Sequence, residues 1–159
     1  MKLVALSTLF SVTYGVNLEL NRMTVNVNGI PFVGRSDRNN GVTARVALSP
    51  GVTPNPAGTL SVAGGGSVLA TFLQLEPYYS GRDLFYLTAL EPMTDSQKLY
   101  YCACIRSNRY RYSYGRQANK TLKELLIPAL DDVPQWVDGG LGRVVSDFSA
   151  RLQGIGGES

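Results

Sequence analysis

Six cations crowd the eighteen residues from Arg106 to Lys123: Arg106, Arg109, Arg111, Arg116, Lys120 and Lys123, with no carboxylate among them. Tyr110, Tyr112 and Tyr114 alternate with the arginines, and Asn108 and Asn119 add amides. A guanidinium donates in a planar fork that matches two phosphate oxygens or the O6/N7 edge of guanine, while a phenol packs on sugars or stacks on bases. Each phosphate neutralised adds salt-dependent affinity by counterion release. A helix end, a basic loop and the start of another helix also offer unpaired backbone N–H groups to phosphate. The chemistry that suits this segment is capture of a polyanion; the bland reading is a solvated basic face whose tyrosines alternate inward.

A second polar cluster, Gly34-Arg35-Ser36-Asp37-Arg38-Asn39-Asn40-Gly41, leaves an apolar run. Arg, Asn and Ser are the side chains that read base edges, and Asp37 can accept from cytosine N4. Read blandly, it is an ordinary hairpin with a surface Asp37–Arg38 pair worth about 0–1 kcal/mol. Gly64-Gly65-Gly66-Ser67 lacks the Gly-Lys-Ser/Thr ending of a phosphate loop and is read as a tight connection where backbone approaches another surface.

Other chemistry is thinly supplied. The chain has no histidine, which removes the commonest general base, the commonest zinc ligand and every Ser-His or Cys-His pair. Asp83, Asp95, Asp131 and Asp132 form no Asp…Glu-X-Lys arrangement of the kind many nucleases use, and no Asn/Asp-Pro-Pro-Tyr/Phe methyl-transfer motif occurs. Cys102 and Cys104 fit neither a disulfide framework nor a zinc pattern and read as small hydrophobes on a helix face. No catalytic residue, metal or cofactor is expected.

The elements that must position these clusters follow from spacing. The 159 residues, 44% of them hydrophobic, suit a single compact domain spanning 1–159, with 154–159 read as a flexible Gly-rich tail. A formal charge of +3 acquires meaning only once mapped. Leu3, Leu6, Leu9 and Phe10 recur at helical spacing, predicting one short helix over Leu3 to Phe10. Ser7 and Thr8 interrupt that run, no small-residue cleavage site follows, and no stretch reaches the roughly 20 apolar residues of a membrane span. The expectation is a soluble, cytoplasmic chain that does not meet a membrane.

Strands are predicted over Ser11 to Tyr14, Gly29 to Val33, Val42 to Leu48, Thr59 to Val62, Ser67 to Leu75 and Asp83 to Leu90. Asn39-Asn40-Gly41 is a hairpin turn, since Asn and Gly tolerate positive φ. A helix capped by Thr94 or Asp95 carries Leu99, Tyr100, Cys102, Ala103 and Ile105. A helical turn over Asn119 to Glu124, a strand over Leu125 to Pro128, a loop over Asp131 to Gly140 and an amphipathic helix over Gly142 to Gln153 complete the reading. The class is α+β, mainly β: a curled or barrel-like sheet with a few short flanking helices.

Taken in order, these residues resemble the target recognition domain of type I restriction-modification specificity subunits and of related type IIG and bcg-type specificity regions. Leu6-Ser7-Thr8-Leu9-Phe10 with Tyr14-Gly15 is similar to the family's opening, and Ile30-Pro31-Phe32-Val33-Gly34-Arg35 with Asn39-Asn40-Gly41-Val42 to its first strand, turn and second strand. Thr59 to Val68 followed by Phe72-Leu73-Gln74 resembles its central hairpin, and Asp83-Leu84-Phe85-Tyr86-Leu87 its next strand. Tyr112-Ser113-Tyr114-Gly115-Arg116 through Lys120, then Leu126-Ile127-Pro128, is similar to its closing signature. The resemblance runs over residues 3 to 137. It implies a non-catalytic module that reads part of a bipartite duplex DNA sequence in the major groove, while a separate methyltransferase and a restriction subunit supply the chemistry.

Two features depart from the family pattern. One domain stands where a full specificity subunit carries two separated by long helices, and Ile127-Pro128-Ala129-Leu130 replaces the usual Leu-Pro pair. Dimerising half-subunits would fit the first. The resulting expectation is DNA contact through Arg35, Arg38, Asn39, Asn40, Arg106, Asn108, Arg109, Tyr110, Arg111, Tyr112, Tyr114, Arg116, Asn119 and Lys120. The alternatives are an interaction protein, of a phage or other mobile element, that binds or displaces a restriction-modification complex, and a DNA nuclease.

Overall fold

The computed structural model describes residues 1–111 and 121–137. Strand β1 (Leu3–Ala5) runs into a single helical turn, α1 (Leu6–Leu9), and then β2 (Phe10–Tyr14). Next come β3 (Val25–Val33), β4 (Val42–Val46), β5 (Thr59–Ala63), β6 (Thr71–Gln74), β7 (Tyr79–Ser80) and β8 (Leu84–Ala89). Helix α2 (Asp95–Arg106) and β9 (Leu126–Pro128) follow. The class is α+β and mainly β, as the spacing of the apolar runs predicts. The strands divide into three open sheets: β1–β9, the antiparallel β2–β8–β5–β6, and β4–β3–β7.

The predicted N-terminal helix is corrected. Leu3, Val4 and Ala5 pair antiparallel with Pro128, Ile127 and Leu126, and Leu6 N–H donates to the Leu125 carbonyl at 2.7 Å. Phe10 to Tyr14 then pairs with Ala89 to Phe85. A helix of eight residues is marginal in water, whereas two waiting strand edges satisfy nearly every backbone group. The apolar spacing nevertheless marks the core: Leu6, Leu9 and Phe10 are all buried.

Strand β5 is buried along its whole length because both of its faces are covered. Leu60 and Val62 join Leu87, Tyr101, Ile105 and Ile127 in the main core. On the other face the Thr59 hydroxyl bonds to that of Tyr78 at 2.9 Å, and Ser61 accepts from Gln74 at 3.1 Å. The expected strand over Ser67 to Leu75 shortens to β6, because Leu69 adopts φ 63° and the chain turns before Ala70. In β3 the strand starts four residues earlier than expected, and Val25 and Ile30 both register with Val46. Gly29 permits this, since a Cβ there would sit 2.0 Å from the Val46 carbonyl oxygen. Strand β7, unmarked by any alternating pattern, pairs parallel with the end of β3.

Thr94 is the helix cap: its hydroxyl accepts from Gln97 N–H at 3.1 Å while the Gln97 amide oxygen accepts from Thr94 N–H at 2.9 Å. One face of α2 enters the main core through Tyr101, Cys102 and Ile105. Both cysteines are free thiols, and burial pushes Cys102 up to about 12. The Tyr101 hydroxyl donates to the Pro128 carbonyl at 2.9 Å, tying the helix to β9. Among the described residues no helix is long and apolar enough to cross a membrane.

Candidate nucleic-acid interface

The turn between β3 and β4 is built from three consecutive left-handed residues, Asn39 (φ 52°), Asn40 (φ 57°) and Gly41 (φ 77°). Asn adopts that region more readily than most L residues and Gly at no cost, which explains the Asn-Asn-Gly order. The turn closes through Gly41 N–H to the Arg38 carbonyl and Gly34 N–H to the Gly41 carbonyl, both at 2.8 Å. Beneath it lies the buried Gln74 amide, which donates to the Asn40 carbonyl at 2.9 Å and to Ser61 Oγ at 3.1 Å. In return, Asn40 Nδ2 donates to the Leu73 carbonyl at 3.2 Å and Gln74 Oε1 at 3.3 Å. Asn40 therefore anchors the turn, and Arg38 and Asn39 are left exposed on it.

A second loop meets the first at glycine. Ser67 N–H donates to the Arg35 carbonyl at 3.1 Å, and a Cβ on Gly66 would lie 2.9 Å from the Cβ of Arg35. The close backbone approach expected of Gly64-Gly65-Gly66 is thus made, against Arg35. A third loop joins through Asp83, whose carbonyl accepts from Gly64 N–H at 2.7 Å. The Asp83 carboxylate accepts from Arg35 Nη1 at 3.2 Å and lies 3.7 Å from Arg82 Nε. Tyr14 Oη accepts from Asp83 N–H at 2.9 Å, holding the aspartate in its φ 58° conformation.

The end of α2 supplies the fourth element. Arg109 Nε donates to the Val68 carbonyl at 2.8 Å, and Nη1 stands 3.8 Å from Asp37 Oδ2. Arg109 therefore bridges the glycine loop and the β3–β4 turn, joining the two polar clusters that lie some seventy residues apart in sequence. Its Nη2 is buried with no hydrogen-bond partner. Arg106 Nη1 donates to the Thr71 carbonyl at 2.6 Å, and its guanidinium lies 5.9 Å from the Phe72 ring centroid.

Arg35 is partly exposed, Arg38, Asn39 and Asn40 are exposed on the turn, and Tyr110, next to Arg109 in sequence, is 77% exposed. Asn108 is corrected: it is buried, and its amide donates to the Cys104 carbonyl at 3.0 Å and the Leu126 carbonyl at 3.5 Å, so it finishes the helix rather than facing a ligand. Arg106 and Arg109 each give one donor to a backbone carbonyl. The backbone of Arg111 ends the turn Ser107–Arg111, while Tyr112, Tyr114, Arg116, Asn119 and Lys120 lie outside the described residues, as does the helix expected over Gly142 to Gln153.

Three contributors escape sequence reasoning. Arg82 completes the rim, and Gln74 and Ser61 support the turn from below. Gly81-Arg82-Asp83 is a visible turn signal, but nothing in the sequence says that it lies beside Gly64. Arg35 and Arg82 thus flank the Asp83 carboxylate and Arg109 that of Asp37, with Arg38 exposed on the same turn. Among the described residues no three His, Cys, Asp or Glu side chains converge as a metal site.

This arrangement of three open sheets and one flanking helix is similar to part of the fold of solved type I restriction-modification specificity subunits. The S subunit from M. genitalium has this fold at TM-score 0.71 and 18% identity, over 98% of this chain and 40% of that one. The HsdS subunit from Thermoanaerobacter tengcongensis aligns at TM-score 0.64 and 17% identity, over 97% of this chain and 39% of the other. A structure addressing complex assembly and conformational transition of the type I R-M system aligns at TM-score 0.65 and 18% identity, over 96% and 41%. This chain thus spans about two-fifths of the length of the subunits it matches. No family model and no curated protein matches the sequence.

Proposed function

We propose that this chain is a non-catalytic module that binds double-stranded DNA sequence-specifically, in the manner of a target recognition domain of a type I specificity subunit. The observation that carries the reading is the convergence of the β3–β4 turn, the glycine loop, the Arg82–Asp83 turn and the end of α2 on one arginine-rich rim, within a fold shared with S subunits. Arg38 and Arg82, both exposed, would contact phosphates, and Arg35 and Asn39 would read base edges. Arg106 and Arg109 chiefly hold the rim together. Assembly with a methyltransferase or restriction subunit, or with a second copy of this chain, belongs to the same proposal, supported by the likeness to a structure that concerns assembly of such a system.

The test is titration of a random-sequence duplex by fluorescence anisotropy at several salt concentrations. Each phosphate contact contributes about 0.9 to the slope of log K against log salt, so the double variant Arg38→Ala/Arg82→Ala should lower the slope by about 2. A wild-type protein whose binding does not respond to salt would refute the reading.

A further inference from the structure

We propose that Arg35 is the residue that reads a guanine, and that Asp83 and Gly66 exist at this rim to aim it. The inference rests on the reading of this chain as a duplex-binding module and specifies which base one of its side chains selects.

The Arg35 side chain is held on two sides. Its Nη1 is engaged by Asp83 at 3.2 Å, with the two side chains 32% and 15% exposed. Its stem crosses Gly66, where the missing Cβ leaves room: the Gly66 Cβ position lies 2.9 Å from Arg35 Cβ and 3.4 Å from Nε. The backbone that carries Asp83 is fixed, its N–H by Tyr14 and its carbonyl by Gly64. An arginine so restrained loses little rotamer entropy on binding, and the remaining edge of its fork is presented in one orientation.

The charge balance selects the ligand. A phosphate approaching Arg35 meets the carboxylate of Asp83 as well, so attraction to the guanidinium is offset by repulsion from its partner. The O6/N7 edge of guanine is uncharged and offers two acceptors, which a pre-aimed fork meets without that repulsion. Arg82, by contrast, is 71% exposed and only 3.7 Å from the same carboxylate, without a hydrogen bond to hold it, and keeps the freedom a phosphate contact needs. Within one cluster, Arg35 is therefore suited to a base and Arg82 to the backbone.

Selection from a pool of random duplexes, followed by sequencing, reads this directly for the wild type, Arg35→Ala and Asp83→Asn. Asparagine tolerates the φ 58° of residue 83, so the second variant removes the charge while keeping the turn. The wild-type consensus should contain a G whose preference falls by roughly tenfold to a hundredfold in Arg35→Ala, the range for losing one bidentate base contact. Asp83→Asn should weaken the preference at that same position. In Arg35→Ala the salt slope on random duplex should stay within about 0.3 of wild type, because no phosphate contact is lost. An unchanged consensus in Arg35→Ala, a wild type that binds duplex without sequence preference, or a slope that falls by about 0.9 in Arg35→Ala would each overturn the assignment to guanine. A wild type that shows no salt-dependent binding at all overturns the duplex-binding reading itself, and the inference with it. Thermal unfolding of each variant, unchanged within a few degrees, separates lost aim from lost fold.

Discussion

Replacing Gly66 by alanine should destabilise the protein by about 2–3 kcal/mol, and the structure supplies each contribution. Gly66 adopts φ 61°, where an L residue costs about 1–2 kcal/mol. A Cβ at that position would lie 2.9 Å from Arg35 Cβ, well inside the roughly 3.5 Å at which carbon atoms first attract. Since Cβ is fixed to the backbone, relief requires the two loops to part by roughly half an ångström or more. The Ser67 N–H to Arg35 carbonyl bond, now 3.1 Å, would then lie outside hydrogen-bond range, a loss of about 1 kcal/mol. Gly51 is the internal control: it adopts φ 76° but has nothing within 4 Å of its Cβ position, so Gly51→Ala carries only the backbone cost. Urea unfolding of both variants isolates the packing contribution, expected as a further fall of about 0.5 M in the midpoint for Gly66→Ala. Equal destabilisation of the two variants, within about 0.3 kcal/mol, would show that the glycine loop does not press on Arg35 and would refute the argument.

Other substitutions test the frame that carries the rim. Gly29→Ala drives a Cβ to 2.0 Å from the Val46 carbonyl oxygen, a backbone atom, so β3 and β4 must separate there and urea unfolding should report a loss above about 2 kcal/mol. Tyr101→Phe removes the donor to the buried Pro128 carbonyl and should cost about 1–3 kcal/mol in the same assay. Thr94→Ala, which dismantles the capping box of α2, should cost about 1 kcal/mol, visible as reduced thermal stability. Arg45 donates to both carboxylate oxygens of Glu76, at 3.1 and 2.7 Å, and this hydrogen bonding lowers the glutamate below its ordinary value of 4.5. Because the lowered value belongs to the folded state, the pair stabilises above 4.5 and its contribution fades as pH falls through the lowered value. The pair is exposed, so Glu76→Gln should lose no more than about 1 kcal/mol at neutral pH and nothing at pH well below 4.5, as urea midpoints at the two pH values would show.

The sequence by itself determined the class of fold, the polar clusters and the chemistry they exclude. Short apolar runs broken by Gly, Pro and Asn leave little choice but strands, and Asn39-Asn40-Gly41 can hardly be anything but a left-handed turn. The absence of histidine removes every Ser-His and Cys-His nucleophile pair. Local pattern failed where a distant partner outweighed it. Leu3 to Phe10 has helical spacing, yet the free edges of β9 and β8 offer its backbone a better set of hydrogen bonds than an isolated turn could make. Strand β5 alternates polar and apolar residues as a half-exposed strand would, yet it is buried throughout, because the face carrying Thr59 and Ser61 is covered by a hydroxyl and amide network.

Which polar groups stay available follows from packing between distant segments. Charge clustering along the chain counts Arg106, Asn108, Arg109 and Arg38 alike, but packing buries Asn108 and spends its amide on carbonyls, because an unpaired buried donor is costly, while Arg106 and Arg109 each give one donor to a carbonyl across the rim. The same packing brings in Arg82, Asp83 and Gln74 from segments that carry no charge run at all. Side-chain hydrogen bonds between residues 33 to 48 positions apart leave no trace in local spacing, and it is they that hold Arg35 and support Asn40.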